Sequence, residues 1–159
     1  MSASPTTEAV ADKAGTASTK TASLLTGGCL CGQVRYTAQA GRATAMVCHC
    51  RDCQKQSGSA FSVLFALPEV DLALEGQLRT YATTADSGRT VHRRFCPGCG
   101  SPVLTELPER AGLVVVKAGT LDDPAWLRPR MHLWCGSAQP WVTLPTDVPC
   151  LDTQPPSSG

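Results

Sequence analysis

Aromatic side chains are scarce in this chain, with three Trp, two Tyr and three Phe among 159 residues. A large core built on rings is thereby excluded, and something besides apolar volume must help hold the fold together. Excess charge is lacking too: the formal net charge is +1, and Lys and Arg are scattered rather than clustered. That excludes the concentrated basic stripe of a nucleic-acid surface. Long apolar runs are missing as well. The longest, Val63 to Leu67 and Leu113 to Val116, are strand-sized, so no membrane partner is expected. The first residues mix Ser, Thr and Ala with Glu8, Asp12 and Lys13, without an apolar stretch behind a basic start. The resulting expectation is a cytoplasmic protein without an export signal, whose thiols stay reduced.

The length suits one domain. Residues 1–23 are rich in Ser, Thr and Ala and nearly free of large apolar side chains, a composition expected to form a disordered tail. Residues 152–159, with Pro155, Pro156 and two serines, are expected to form another. Between them, over residues 24–151, short strand signals alternate with Gly and Pro. Strands are expected at Gln33–Thr37, Ala60–Ala66, Val70–Leu74, Leu78–Ala82, Thr90–Phe95, Pro102–Thr105, Gly112–Lys117 and Met131–Cys135. One short helix or turn is expected at Arg51–Ser57, directly after a cysteine motif, and no long amphipathic helix occurs. The fold class is mainly β.

What the chain does have is cysteine, nine in all. An odd count without an export signal argues against a disulfide framework and for metal binding. Seven of the nine fall into three groups: Cys29-Leu30-Cys31 between glycines, Cys48-His49-Cys50-Arg51-Asp52-Cys53, and Cys96-Pro97-Gly98-Cys99. Residues i and i+2 of an extended segment face the same way, so C-x-C directs two sulfurs at one ion. A C-x-x-C with Pro and Gly between its sulfurs bends the chain tightly enough to do the same. Seven thiolates fill one closed four-sulfur zinc site and leave a three-sulfur set, the ligand number of a zinc with one position open. Spacing alone leaves the division open. Cys29 and Cys31 can join Cys96 and Cys99, leaving Cys48, Cys50 and Cys53 as a clasp; alternatively Cys50 and Cys53 join Cys96 and Cys99 in a ribbon. Cys135 and Cys150 stand alone and are expected to be small buried hydrophobes.

These motifs, in this order, resemble the glutathione-dependent formaldehyde-activating enzyme family, which shares its domain with centromere protein V. The resemblance runs through GGCLCGQVRY at 27–36, CHCRDCQKQSGSAF at 48–61, FCPGCGSPV at 95–103, GTLDDP at 119–124 and the stretch from His132 to Trp141. It implies a β-tent, small β-sheets folded around zinc, with two Zn2+ per chain. Cys29, Cys31, Cys96 and Cys99 are implied to hold a structural ion, and Cys48, Cys50 and Cys53 a catalytic one. It further implies a carbon–sulfur lyase of the S-(hydroxymethyl)glutathione synthase type, with glutathione or another small-molecule thiol adduct as partner. Three thiolates form a soft, electron-rich site suited to a thiol substrate. The competing reading is a binding module whose zincs only hold the fold, the second closed by His49, His132, Cys135 or a partner. A chromatin role resembling centromere protein V is disfavoured, because the chain lacks a long basic N-terminal extension.

Other side chains are weaker candidates. His49, between two ligands, is expected to point away from the metal and to pack or hydrogen-bond. Gln54, Ser57 and Gly58 follow the clasp and are candidates to line a pocket, and His132 with Trp134 and Trp141 to close over it. His92 is expected to be structural. Arg35, Arg51, Lys55, Arg93 and Arg94 are candidate partners for glutathione carboxylates, or solvated charges.

Overall fold

Period-2 alternation of large apolar residues, broken every few positions by Gly or Pro, builds this chain from short strands. The computed structural model describes residues 24–154, so the tail expected at 1–23 and residues 155–159 of the tail expected at 152–159 lie outside the described residues. The first strands are β1 (Leu24–Gly28), β2 (Arg35–Gln39) and β3 (Thr44–Cys48), followed by the helix α1 (Arg51–Ser57). Then come β4 (Ser62–Pro68), β5 (Leu72–Glu75), β6 (Arg79–Thr84), β7 (Thr90–Phe95), β8 (Pro102–Glu106) and β9 (Leu113–Lys117). Two short strands, β10 (His132–Leu133) and β11 (Cys150–Leu151), complete the set.

The protein is mainly β, as its sequence implies. One sheet has three strands in the order β1-β2-β5, and the other has eight, β11-β10-β3-β4-β9-β8-β7-β6. All pairings are antiparallel except those of β10, which runs parallel to both β3 and β11. The hydrophobic core joins the two sheets: Leu25, Tyr36 and Ala38 meet Phe65, Leu67, Val114 and Val116. Phe65 and Val116 are fully buried, and each such side chain stabilises the fold by about 1.5–3 kcal/mol. Trp126 stands edge-on to Phe65, with ring centroids 5.7 Å apart.

Alternation gives the larger sheet two different faces. On β4 and β9, Phe65, Leu67, Val114 and Val116 enter the core. Their neighbours in sequence, Leu64, Ala66, Val115 and Lys117, therefore stand on the opposite face. Cross-strand register extends that second face as a row, with Ala66 opposite Val115, Val115 opposite Thr105, and Thr105 opposite Arg93. A parallel row places Met46 opposite Leu64 and Leu64 opposite Lys117.

Several boundaries differ from the sequence expectation. Leu24–Gly28 and Thr44–Cys48 are strands that the sequence reading did not expect; pairing with β2 outweighs the poor strand propensity of Gly27 and Gly28, and β3 is set by pairing with β4. The strand expected at Met131–Cys135 shortens to His132–Leu133, since Trp134 adopts a left-handed conformation (φ 59°) and Cys135 starts a 3-10 turn. The helix appears at the expected Arg51–Ser57, closed by Gly58 in a left-handed conformation whose N–H bonds the Gln54 and Lys55 carbonyls. Beyond β11, the Thr153 carbonyl accepts from the Trp134 N–H at 3.1 Å.

Candidate metal centres

Two knuckles from distant parts of the chain build the first thiol cluster. After β1 the chain turns at Gly32, and the Cys29 N–H donates to the Val34 carbonyl at 2.9 Å while the Val34 N–H donates to Cys29 Sγ at 3.3 Å. After β7 a register shift between Arg94 and Phe95 redirects the strand into the Cys96–Cys99 turn. There the Gly100 N–H bonds the Cys96 carbonyl at 2.9 Å, with Gly100 at φ 75°, a conformation that glycine reaches without strain. Ser101 joins the knuckles: its Oγ accepts from the Leu30 N–H at 3.1 Å and lies 3.2 Å from Cys99 Sγ. That hydroxyl contact, foremost among several, pulls the Cys99 thiol down to about 5.

The sulfurs of Cys29, Cys31, Cys96 and Cys99 lie within 4.8 Å of one another. Cys29 and Cys31 Sγ are 3.5 Å apart, and Cys31 and Cys96 Sγ 3.7 Å. A tetrahedron with zinc–sulfur bonds of about 2.3 Å has sulfur–sulfur edges of about 3.8 Å. The spacing therefore fits one tetrahedral ion. The alternative ribbon division is not what the fold assembles, since Cys50 and Cys53 group with Cys48.

The second cluster grows from a strand-to-helix junction. Cys48 ends β3, Cys50 caps α1 with its Sγ accepting from the Cys53 N–H at 3.3 Å, and Cys53 sits in the first helical turn. The three sulfurs lie within 4.8 Å of one another. Hydrogen bonds from Cys48 and then Cys53 pull the Cys50 thiol down to about 2, and the contacts with Cys50 and Cys53 push Cys48 far above its usual value. The trio thus favours the thiolate at Cys50, and a divalent ion held there would displace the remaining thiol protons. Two cations stand beside it. Lys117, 5% exposed, donates from Nζ to Ser62 Oγ at 3.2 Å, and burial pulls its ammonium down. Arg93, 8% exposed, pairs through Nη2 with Asp52 Oδ2 at 2.8 Å.

The trio opens on a cavity of about 350 Å3 lined by Cys48, Cys50 and Cys53. Its wall is the second face of the large sheet, with Met46, Leu64, Val115, Arg93 and Lys117, extended by Leu133 of β10 and by Trp134. The four-sulfur cluster has no part in this lining. One set of thiols therefore has the four sulfurs of a complete tetrahedron, with Cys31 exposed, and the other has three and faces a chamber.

The remaining candidates separate cleanly. His49 is fully buried, with Nε2 3.0 Å from His132 Nδ1. Burial holds both imidazoles below their ordinary value, so the pair is neutral and joins the clasp to β10. Gln54 donates from Nε2 to the His49 carbonyl at 2.7 Å and the Ser137 carbonyl at 2.9 Å, and Ser57 Oγ donates to the Cys53 carbonyl at 2.8 Å. Both brace the clasp from behind. Gln54, Gly58, Arg51, Lys55 and Trp141 line a separate open hollow instead of the cysteine cavity. Arg35 pairs with Asp122, and Arg94 with Glu106 at 2.5 Å, the carboxylate that also lies 3.9 Å from His92 Nδ1. Of the five arginines and lysines singled out, Arg93 alone lines the cavity. Cys135 is buried, but Cys150 is exposed on the edge strand, contrary to the expectation for a lone cysteine. Sequence reasoning missed Lys117 and Asp52. The signal for Lys117 was its parity with Val115 and Leu113 on one strand face.

A mainly β fold that gathers seven thiols into two clusters, each able to hold a metal ion, defines the class. The chain belongs to the glutathione-dependent formaldehyde-activating enzyme family, whose profile matches residues 24–137. No curated protein matches it. Among solved structures it is similar to a Rhodobacter sphaeroides protein, at 20% identity and a TM-score of 0.50, over 79% of this chain and 98% of the other. That likeness concerns the fold. No helix among the described residues is long and apolar enough to cross a membrane.

Proposed function

We propose that the protein is a zinc-dependent carbon–sulfur lyase of the S-(hydroxymethyl)glutathione synthase type, joining or cleaving glutathione and a small aldehyde. The observation that carries this reading is the asymmetry of the clusters: four thiols that complete a tetrahedron between two knuckles, three thiols facing a cavity. Cys29, Cys31, Cys96 and Cys99 would hold a structural zinc, and Cys48, Cys50 and Cys53 a catalytic one. The second ion, when bound, supplies a Lewis acid that favours the thiolate form of a thiol substrate.

The chain's own groups do the rest. Three thiolates with a divalent ion carry about one net negative charge. Arg89, Arg93, Arg110 and Lys117, offset by Asp52 and Asp86, return about two positive charges to the cavity lining, which favours an anionic sulfur and oxygen there. In the forward direction the sulfur pair forms the S–C bond, the carbonyl π pair moves to oxygen, and the thiol proton ends on that oxygen. The reverse step breaks the same S–C bond. Leu133 and Trp134 in the cavity lining limit water, and the His49–His132 pair with Gln54 holds Cys48 and Cys50 in register.

Exchange NMR on glutathione and formaldehyde, with and without the zinc-loaded protein, tests the reading. Faster exchange with the hydroxymethyl adduct is expected from the native chain and is lost in Cys50→Ser. Exchange at the spontaneous rate would refute the catalytic reading and leave the zincs as props of a protein-binding domain.

A further inference from the structure

Formaldehyde brings one carbon to the site, yet the cavity in front of Cys48, Cys50 and Cys53 extends for about 350 Å3 along the sheet. Its character is largely apolar. Met46, Leu64, Ala66, Leu113 and Val115 come from three neighbouring strands, with Leu133 of the adjoining β10 beside them. Glutathione carries two carboxylates and an ammonium group, which gain from the cavity's charged residues such as Arg110 but not from this apolar stretch of wall. An apolar substituent does gain, in proportion to the area it removes from water.

One polar group on this wall is unsatisfied. The Arg93 guanidinium uses Nη2 on Asp52, which fixes the plane of the fork, while Nη1 is buried and has no hydrogen-bond partner. Its neighbour Lys117 is already engaged with Ser62. A guanidinium held by one arm offers the other in a set direction, and buried donors of this kind are ordinarily satisfied. Arg93 and Cys50 line the same cavity, and the anchoring Asp52 stands two residues after Cys50. The free donor and the reacting sulfur site therefore share one corner of the cavity.

We propose that the site takes thiol adducts of bulky apolar aldehydes, aromatic or branched, with the substituent on the sheet face and the adduct oxygen accepting from Arg93 Nη1. The proposal rests on the thiol–aldehyde reading above and names its substrate class. The step balances without an oxidant: the sulfur pair forms the S–C bond, the carbonyl π pair goes to oxygen, and the thiol proton follows it. Arg93 Nη1 faces the oxygen on which that charge develops, where a fixed donor is worth most.

Two thioethers that cannot react separate substituent from chemistry. S-benzylglutathione is expected to bind the zinc-loaded full chain on the order of tenfold more tightly than S-methylglutathione, with saturation transfer from the protein strongest at the phenyl protons. Exchange NMR with benzaldehyde and with formaldehyde gives the matching rates, and the benzaldehyde adduct is expected to be favoured. Arg93→Lys is expected to slow adduct exchange roughly 100-fold while leaving the affinity for S-benzylglutathione, which has no adduct oxygen, within about twofold. Equal binding of the two thioethers, with formaldehyde exchange still accelerated, would overturn this proposal and leave the general reading standing. Equal loss of thioether binding and of exchange in Arg93→Lys would overturn the oxygen contact. No acceleration with any aldehyde would remove both readings together.

Discussion

Substituting Cys96 by serine removes one sulfur from the closed cluster, and the consequence can be worked from chain topology. The cluster joins the turn after β1 to the turn after β7, and the contacting residues Cys31 and Cys96 are 65 positions apart. Treated as a cross-link on the unfolded chain, a bond across that interval is worth about 4 kcal/mol of loop-closure entropy. Cys96 is completely buried, so the serine hydroxyl adds a desolvation cost of about 1–3 kcal/mol where it lacks a partner. Domains of this size have total stabilities of roughly 5–15 kcal/mol, so the combined loss is a large part of the whole. At roughly 2–4 °C per kcal/mol, the melting midpoint should fall by more than about 10 °C. Thermal melts by circular dichroism, paired with zinc quantitation on the same samples, read both consequences. A variant melting within about 3 °C of the native protein while retaining its zinc would refute the assignment of a structural ion to this cluster.

The open cluster should behave differently. Cys50→Ser should lose the zinc of the clasp and all adduct exchange, yet shift the melting midpoint by only about 2–4 °C, because its ligands span one strand-to-helix junction. Phe65→Ala, read by urea denaturation, should cost about 3–5 kcal/mol, since the ring is fully buried and abuts Trp126. The Arg35 guanidinium holds the Asp122 carboxyl below its usual range. The folded value being depressed, its contribution is present above the unfolded pKa of about 3.9 and is lost as pH falls through the lower folded value. Asp122→Asn should therefore flatten the acid limb of the stability profile below about pH 4 in a pH series of melts.

The thiol clusters were legible in the sequence because metal-ligand spacing is a local code. C-x-C and C-x-x-C report their own geometry wherever the chain carries them, and the helix after Cys50 followed from a run with no strand alternation. The pairing of knuckles was less legible, because spacing allowed two divisions and only the fold brings Cys29 and Cys31 beside Cys96 and Cys99. The cavity was the hardest part to see. Arg93 read as one of several surface cations, and it is buried because β8 and β9 set Thr105 and Val115 in the same row. Gln54 read as a pocket residue, whereas two backbone carbonyls hold it behind the clasp. Such distinctions depend on which strands become neighbours, a long-range property that no short window contains.

The two faces of the large sheet bear on how this protein can change. Along β4 and β9, adjacent codons answer to different selective pressures: Phe65, Leu67, Val114 and Val116 to stability, Leu64, Ala66, Leu113 and Val115 to what the chamber admits. A lineage can exchange the second set one residue at a time while the first holds the sheets together. The four-sulfur cluster has no part in that chamber's lining, so a metal ion held there would supply stability that none of those exchanges touches. Diversification of substrate within such a scaffold is thus cheap, and divergent sequences over an unvarying cysteine pattern are its natural outcome.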